Sequence, residues 1–142
     1  MINYDKDFYG WTQEQALMLR AGRLQELDIE NLIDEIESMG RSEKRELQSR
    51  LTVLLVHLLK WHYQASRRGR SWDLTIIGQR LKLESVIKDS PGLKPQLPEI
   101  LSDAYRIARV DAAKETGLDI AVFLPACPWT YEQITDDSFY PE

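Results

Sequence analysis

Apolar side chains recur at intervals of three and four residues along most of this chain and almost nowhere in strict alternation. That period belongs to the α-helix, where positions three and four apart return to one face. A first helix is predicted over Ala16, Leu17, Met18 and Leu19. It opens on a capping box at Thr12-Gln13-Glu14-Gln15 and is weakened at its far end by Gly22. Asp28 is expected to cap a second helix, with Ile29, Leu32, Ile33, Ile36 and Met39 as its apolar face and Gly40 as its stop. Ser42 caps the third and longest, whose stripe is Leu47, Leu51, Leu54, Leu55, Leu58 and Trp61 or His62. Val53, Val56 and Leu59 widen that stripe toward the full circumference, which places this helix centrally, and Gly69 ends it.

Ser71 starts a fourth helix bearing Leu74, Ile77, Leu81, Val86 and Ile87, which halts before Pro91-Gly92. The fifth carries Pro98 in its first turn, then Ile100, Leu101, Ala104, Ile107, Ala108 and Ala112, with Gly117 as C-cap. Trp129-Thr130-Tyr131-Glu132-Gln133 echoes Trp11-Thr12-Gln13-Glu14-Gln15, and both read as capping boxes preceded by an aromatic staple. The second copy opens a short terminal helix. Only Ile120–Leu124 resembles a strand. The expected architecture is all-α: one domain over residues 1–142, a compact bundle of about five helices, and a looped C-terminal tail carrying a short helix.

Composition narrows the function classes. At 142 residues, 43% hydrophobic and 29% charged, the chain is an ordinary globular length and mix. Its longest apolar run, Leu51–Leu59, is interrupted by Thr52 and His57 and falls short of the roughly 20 residues that span a bilayer. The opening MINYDKDFYG has no basic segment followed by an apolar one, so no secretory signal is expected. A single cysteine, Cys127, rules out an internal disulfide and suits a reducing compartment; a cytoplasmic location is the expectation. The net charge of −5 is unevenly spread. Residues 1–40 hold three basic and nine acidic side chains (−6), 41–70 eight and two (+6), 71–110 six and five (+1), and 111–142 one and seven (−6). These segments can neutralise one another within a fold, or the basic middle can face an anionic partner.

Several strings occur in an order that resembles one bacterial family. They are DFYGWTQEQALMLRAGRLQELDIENLIDEIESMGRSE, HLLKWHYQ, RSWDLTI, DSPGLK, AYRIAR and CPWTYEQI. The family is called domain of unknown function 29, and the resemblance covers nearly the whole chain. It implies a compact helical fold and a bacterial source, cyanobacterial or proteobacterial. It implies no reaction, substrate, cofactor or catalytic residue.

The stretch HLLKWHYQASRRGRSW, residues 57–72, concentrates the candidate chemistry. Lys60, Arg67, Arg68 and Arg70 would neutralise phosphates while Trp61, Tyr63 or Trp72 stacked on unpaired bases. His57, Trp61 and Gln64 share a polar and aromatic face in an otherwise aliphatic helix. Against that reading, the sequence pI is near 5.1, and arginines at a helix end are expected from the dipole and from capping carbonyls. A metal site is poorly served. His57 and His62 lie five apart, roughly 140° around a helix, and no Glu-x-x-His pattern exists. Glu30, Asp34 and Glu37 share one stripe and are weak candidates, more simply a solvated face. A magnesium-dependent pyrophosphatase would want a second carboxylate cluster, and the acids after Glu46 are scattered. Cys127 lacks a cationic neighbour to activate it, and neither a Gly-x-Ser-x-Gly elbow nor a phosphate loop is present.

The expectation is therefore a cytoplasmic interaction protein without catalytic residues or cofactor, engaging a protein partner or a second copy of itself. The alternative is a nucleic-acid-associated module using residues 60–72. A metal-dependent enzyme built on Glu30, Asp34, Glu37 and His57 ranks third.

Overall fold

The computed structural model describes residues 1–142, with five α-helices and no strand. They are α1 (Phe8–Arg20), α2 (Ile29–Tyr63), α3 (Arg70–Asp89), α4 (Leu97–Thr116) and the short α5 (Tyr131–Thr135). Single 3₁₀ turns stand at Leu24–Glu26, Ala65–Arg67, Pro91–Gln96 and Ile120–Val122, the last replacing the one strand-like run. The chain divides into two compact units, Met1–Arg41 and Ser42–Glu142.

In the first unit α1 starts one turn before Thr12. Asp7 is its N-cap and accepts from the Gly10 amide at 2.9 Å; a Cβ at Gly10 would collide with that carboxylate. Thr12 Oγ1 instead donates back to the Tyr9 carbonyl, and Gln15 Oε1 accepts from the amide of Asp28 at 2.8 Å. The box expected at Thr12–Gln15 is therefore not formed, because the earlier aspartate has already satisfied the helix start. Its glutamine fastens the next helix instead. Asp28 is the node of this unit. Its carboxylate takes the Asn31 side-chain amide at 2.8 Å and the Trp11 indole N–H at 3.0 Å, which together hold its pKa below the usual aspartate value. Tyr4, Phe8 and Trp11 pack as one aromatic cluster, and the Tyr4 hydroxyl donates to Glu35. Only Trp11 and Gln15 are buried here, while Leu17, Leu24, Ile29, Ile33, Ile36 and Met39 face outward. Gly22 follows α1 in the left-handed region, as its position at the helix end requires.

Gly40 does not stop a helix. The predicted second and third helices are the single 35-residue α2, and Gly40 lies inside it. A mid-helix glycine costs about 1 kcal/mol relative to alanine. Strong helix formers on both sides, with Glu46–Arg50 paired at i,i+4, outweigh that cost.

In the second unit the expected stripe of α2 is the core. Leu47, Leu51, Leu54, Leu55, Leu58 and Leu59 are fully buried with Ile76 and Leu83 of α3 and Ile100, Ala104, Tyr105, Ala108 and Ala112 of α4. Pro98 stands in the first turn of α4 and Gly117 closes it at φ 74°, as the sequence predicts. Two boundaries differ: α2 ends at Tyr63 rather than at Gly69, and Gly69 instead precedes α3, whose first residue is Arg70 rather than one capped by Ser71.

The face α3 buries also differs. Leu74, Ile77 and Leu81 are exposed, and the inward residues are Ile76, Gln79, Arg80, Leu83 and Val86. Arg80 accounts for the rotation. Its guanidinium donates to the carbonyls of Ile134 at 2.9 Å, Asp137 at 3.4 Å and Phe139, and lies over the Tyr140 ring. The Tyr140 hydroxyl donates to Asp73, and Trp61 packs against the same ring. The tail from Phe123 onward, with Phe123 and Ile134 in the core, is thus held to α3 by polar bonds from one buried cation. At Thr130 the second copy of the repeated string does form the box: Thr130 Oγ1 accepts from the Gln133 amide and Gln133 Oε1 from the Thr130 amide.

Two measurements check this assignment. By urea unfolding, Thr130→Ala should lower stability by about 1 kcal/mol, whereas Thr12→Ala removes no cap and should change stability by only a few tenths of that. Arg80→Met should cost roughly 2–3 kcal/mol through its lost charge-assisted bonds. Hydrogen exchange at the amides of residues 134–140 should then accelerate before that of α2.

Candidate functional site

Much of the stretch at residues 57–72 is engaged in internal contacts. His57, on α2, places Nδ1 2.8 Å from the Val53 carbonyl, which calls for the Nδ1–H tautomer; burial pushes its pKa below the ordinary histidine value. It is a neutral side chain tied to its own helix. Lys60, one turn on, bonds Glu115 at 3.1 Å and rests over the Trp72 ring. Gln64 Nε2 donates to the Thr116 carbonyl at 3.5 Å, so Lys60 and Gln64 pin the end of α2 to the end of α4.

Arg68 sits just beyond the helix. Its Nε donates to the Trp61 carbonyl at 2.7 Å, Nη2 reaches the Pro141 carbonyl at 3.3 Å, and the guanidinium covers the Trp61 ring. This is the capping of free carbonyls expected at a helix C-terminus, extended to the returning tail. Arg67 and Arg70 alone among the four cations are exposed without an ion pair. Trp61 and Trp72 are both half-buried, the first against Tyr140 and the second beneath Lys60.

A cleft of about 510 Å³ opens next to this stretch, lined by His62, Tyr63, Tyr105, Trp129, Phe139 and Tyr140 among others. His57, Trp61 and Gln64 do not line it. Its volume lies in the range of small-molecule sites, and three of its polar side chains are committed, while His62, Tyr63 and Glu142 make no side-chain hydrogen bond. Tyr105, whose pKa burial raises to about 12, donates to the Leu124 carbonyl at 2.6 Å; Tyr140 is bonded to Asp73, and Gln133 to Thr130. Sequence reasoning did not find this cleft, because its walls come from residues 59–63, Tyr105 and residues 124–142, brought together only by the tail's return. The aromatic richness of both segments was the available signal.

Glu30, Asp34 and Glu37 are exposed on α2, and no three His, Cys, Asp or Glu side chains converge closely enough to hold an ion. Cys127 donates to the Trp129 carbonyl at 3.3 Å, and burial raises its pKa, away from the reactive thiolate. No helix is long and apolar enough to cross a membrane.

No match was found among curated proteins or among solved structures. The sequence model of the family described as Domain of unknown function DUF29 matches residues 3–140. That span is nearly the whole chain and takes in both the α2 core stripe and the returning tail, and the chain therefore belongs to the family Domain of unknown function DUF29.

Proposed function

We propose that this chain is a cytoplasmic protein-contact module that associates with a second copy of itself. One observation carries the reading. Ile29, Ile33, Ile36 and Met39 follow at helical spacing on α2, each 48–62% exposed, with Leu17 and Leu24 also outward in the same unit. Scattered exposed leucines are ordinary on a protein surface; an uninterrupted aliphatic stripe on one helix marks an interaction surface. The stripe belongs to the apolar face that the sequence assigns to the second predicted helix, and it is left uncovered. The two-sided part of α2 is absorbed by the bundle, with Val56 and Leu59 buried, and the aliphatic surplus lies on its first three turns.

The nucleic-acid reading has less support. With Lys60 and Arg68 engaged internally, Arg67 and Arg70 remain. Two neutralised phosphates correspond to a log–log salt slope of about −2, against the 6–10 contacts of strong duplex binders. Catalysis by a side-chain nucleophile is likewise unsupported, since the one thiol is protonated and His57 is spent on a backbone bond.

Sedimentation velocity across the micromolar range should show a mass that rises from one chain to two. Ile33→Glu combined with Ile36→Glu should weaken the association by ~100-fold, as two buried aliphatics are lost and two charges introduced, while the helical circular dichroism stays unchanged. A mass of one chain at every concentration would refute the reading.

A further inference from the structure

The aromatic cleft lies wholly within the second unit, and its chemistry is independent of the exposed stripe on α2. We infer that it binds an organic cation whose charge sits on a methylated ammonium group. Its ring walls, its single fixed charge and its scarcity of free hydrogen-bonding groups point the same way.

The rings come from separate parts of the chain. Tyr63 ends α2, Tyr105 lies in α4, and Trp129 and Phe139 stand on the returning tail. Trp129 and Phe139 meet at 70° with centroids 5.8 Å apart, so two adjacent walls form a corner. Tyr63 is braced edge-to-face against the fully buried Phe123 at 4.9 Å, and the Tyr105 hydroxyl is tied to the Leu124 carbonyl. These contacts hold the rings in place beforehand, which spares a ligand the cost of ordering them. Tyr140 offers little free face, because Arg80 lies over its ring and Trp61 packs against it.

Charge selects the sign of the occupant. The face of an aromatic ring is negative and attracts a cation held within about 6 Å of its centroid. Glu142 is the only Asp, Glu, Lys or Arg side chain lining the cleft, and its carboxylate makes no ion pair. The nearby guanidiniums of Arg68 and Arg80 are spent on backbone carbonyls and do not line it. Residues 111–142, which supply most of the lining, carry one basic and seven acidic side chains. An anion is repelled there and a cation drawn in.

Hydration selects the kind of cation. A primary ammonium brings three N–H donors, and few acceptors in the cleft are free to replace its water. A trimethylated nitrogen has no donor to satisfy and presents only methyl groups to the rings. At about 510 Å³ the cleft has room for such a head group and for the chain that bears it.

The test titrates the full chain with choline and with choline's neutral isostere, in which a carbon replaces the nitrogen, followed by two-dimensional NMR. Choline should bind about tenfold or more tightly than the isostere, shifting the resonances of residues 59–63 and the Trp129 indole N–H. Trp129→Leu should abolish most of that preference while leaving the isostere's affinity nearly unchanged. Glu142→Gln should weaken choline by roughly two- to fivefold. Circular dichroism verifies the fold, and if Trp129→Leu does not fold, the two ligands compared on the unaltered chain decide alone. A short peptide bearing trimethyllysine presents the same head group: tighter binding than choline assigns the cation to a protein side chain, weaker binding to a free small molecule. Equal affinity for choline and its isostere, or no shift in the cleft up to roughly 10 mM choline, overturns the inference and leaves self-association untouched.

Discussion

A guanidinium withdrawn from water must be met by oxygen, and the placement of Arg80 follows from that requirement. An arginine on a helix's inward face is prohibitively costly unless its donors are satisfied. Three carbonyls of the tail do so, and the Tyr140 ring covers the remaining face. Satisfying Arg80 fixes the rotation of α3 about its own axis. That rotation turns Ile76 and Leu83 into the core and leaves Leu74, Ile77 and Leu81 outside. The same bonds bring residues 134–140 back across the bundle, forming the aromatic cleft beside His62 and Tyr63.

The basic and aromatic residues at 57–72 obey a related rule. A helix C-terminus presents carbonyls without intrahelical donors, and here a returning tail adds more. Arg68 serves both, and Lys60 and Gln64 bind the C-terminal end of α4. A cluster that reads as a ligand grip is chiefly the chain gripping itself.

Much of the fold was legible in the sequence because period and punctuation agreed. The leucine stripe of α2, proline and glycine at the ends of α4, and the Thr130 box all lie where local chemistry puts them. The failures share a cause: each needed a competitor distant in sequence or stronger in place. Thr12 lost its cap role to Asp7 one turn earlier. Gly40 lacked the cost to break a helix flanked by strong formers. The α3 face was misjudged because Gln79 and Arg80 look like surface residues until the tail supplies their environment. The exposure of Leu74, Ile77 and Leu81 on α3 depended on that same rotation.

The first unit is fastened by the Asp28 node and three aromatic rings, while its aliphatic side chains stay in water. Its local opening would hydrate little new hydrocarbon. Both the heat-capacity increment and the denaturant slope scale with newly exposed surface, so this segment should loosen gradually with temperature and urea, in contrast to the sharp transition of the leucine-filled bundle. A partner covering the stripe would change that response by giving the segment apolar surface to lose.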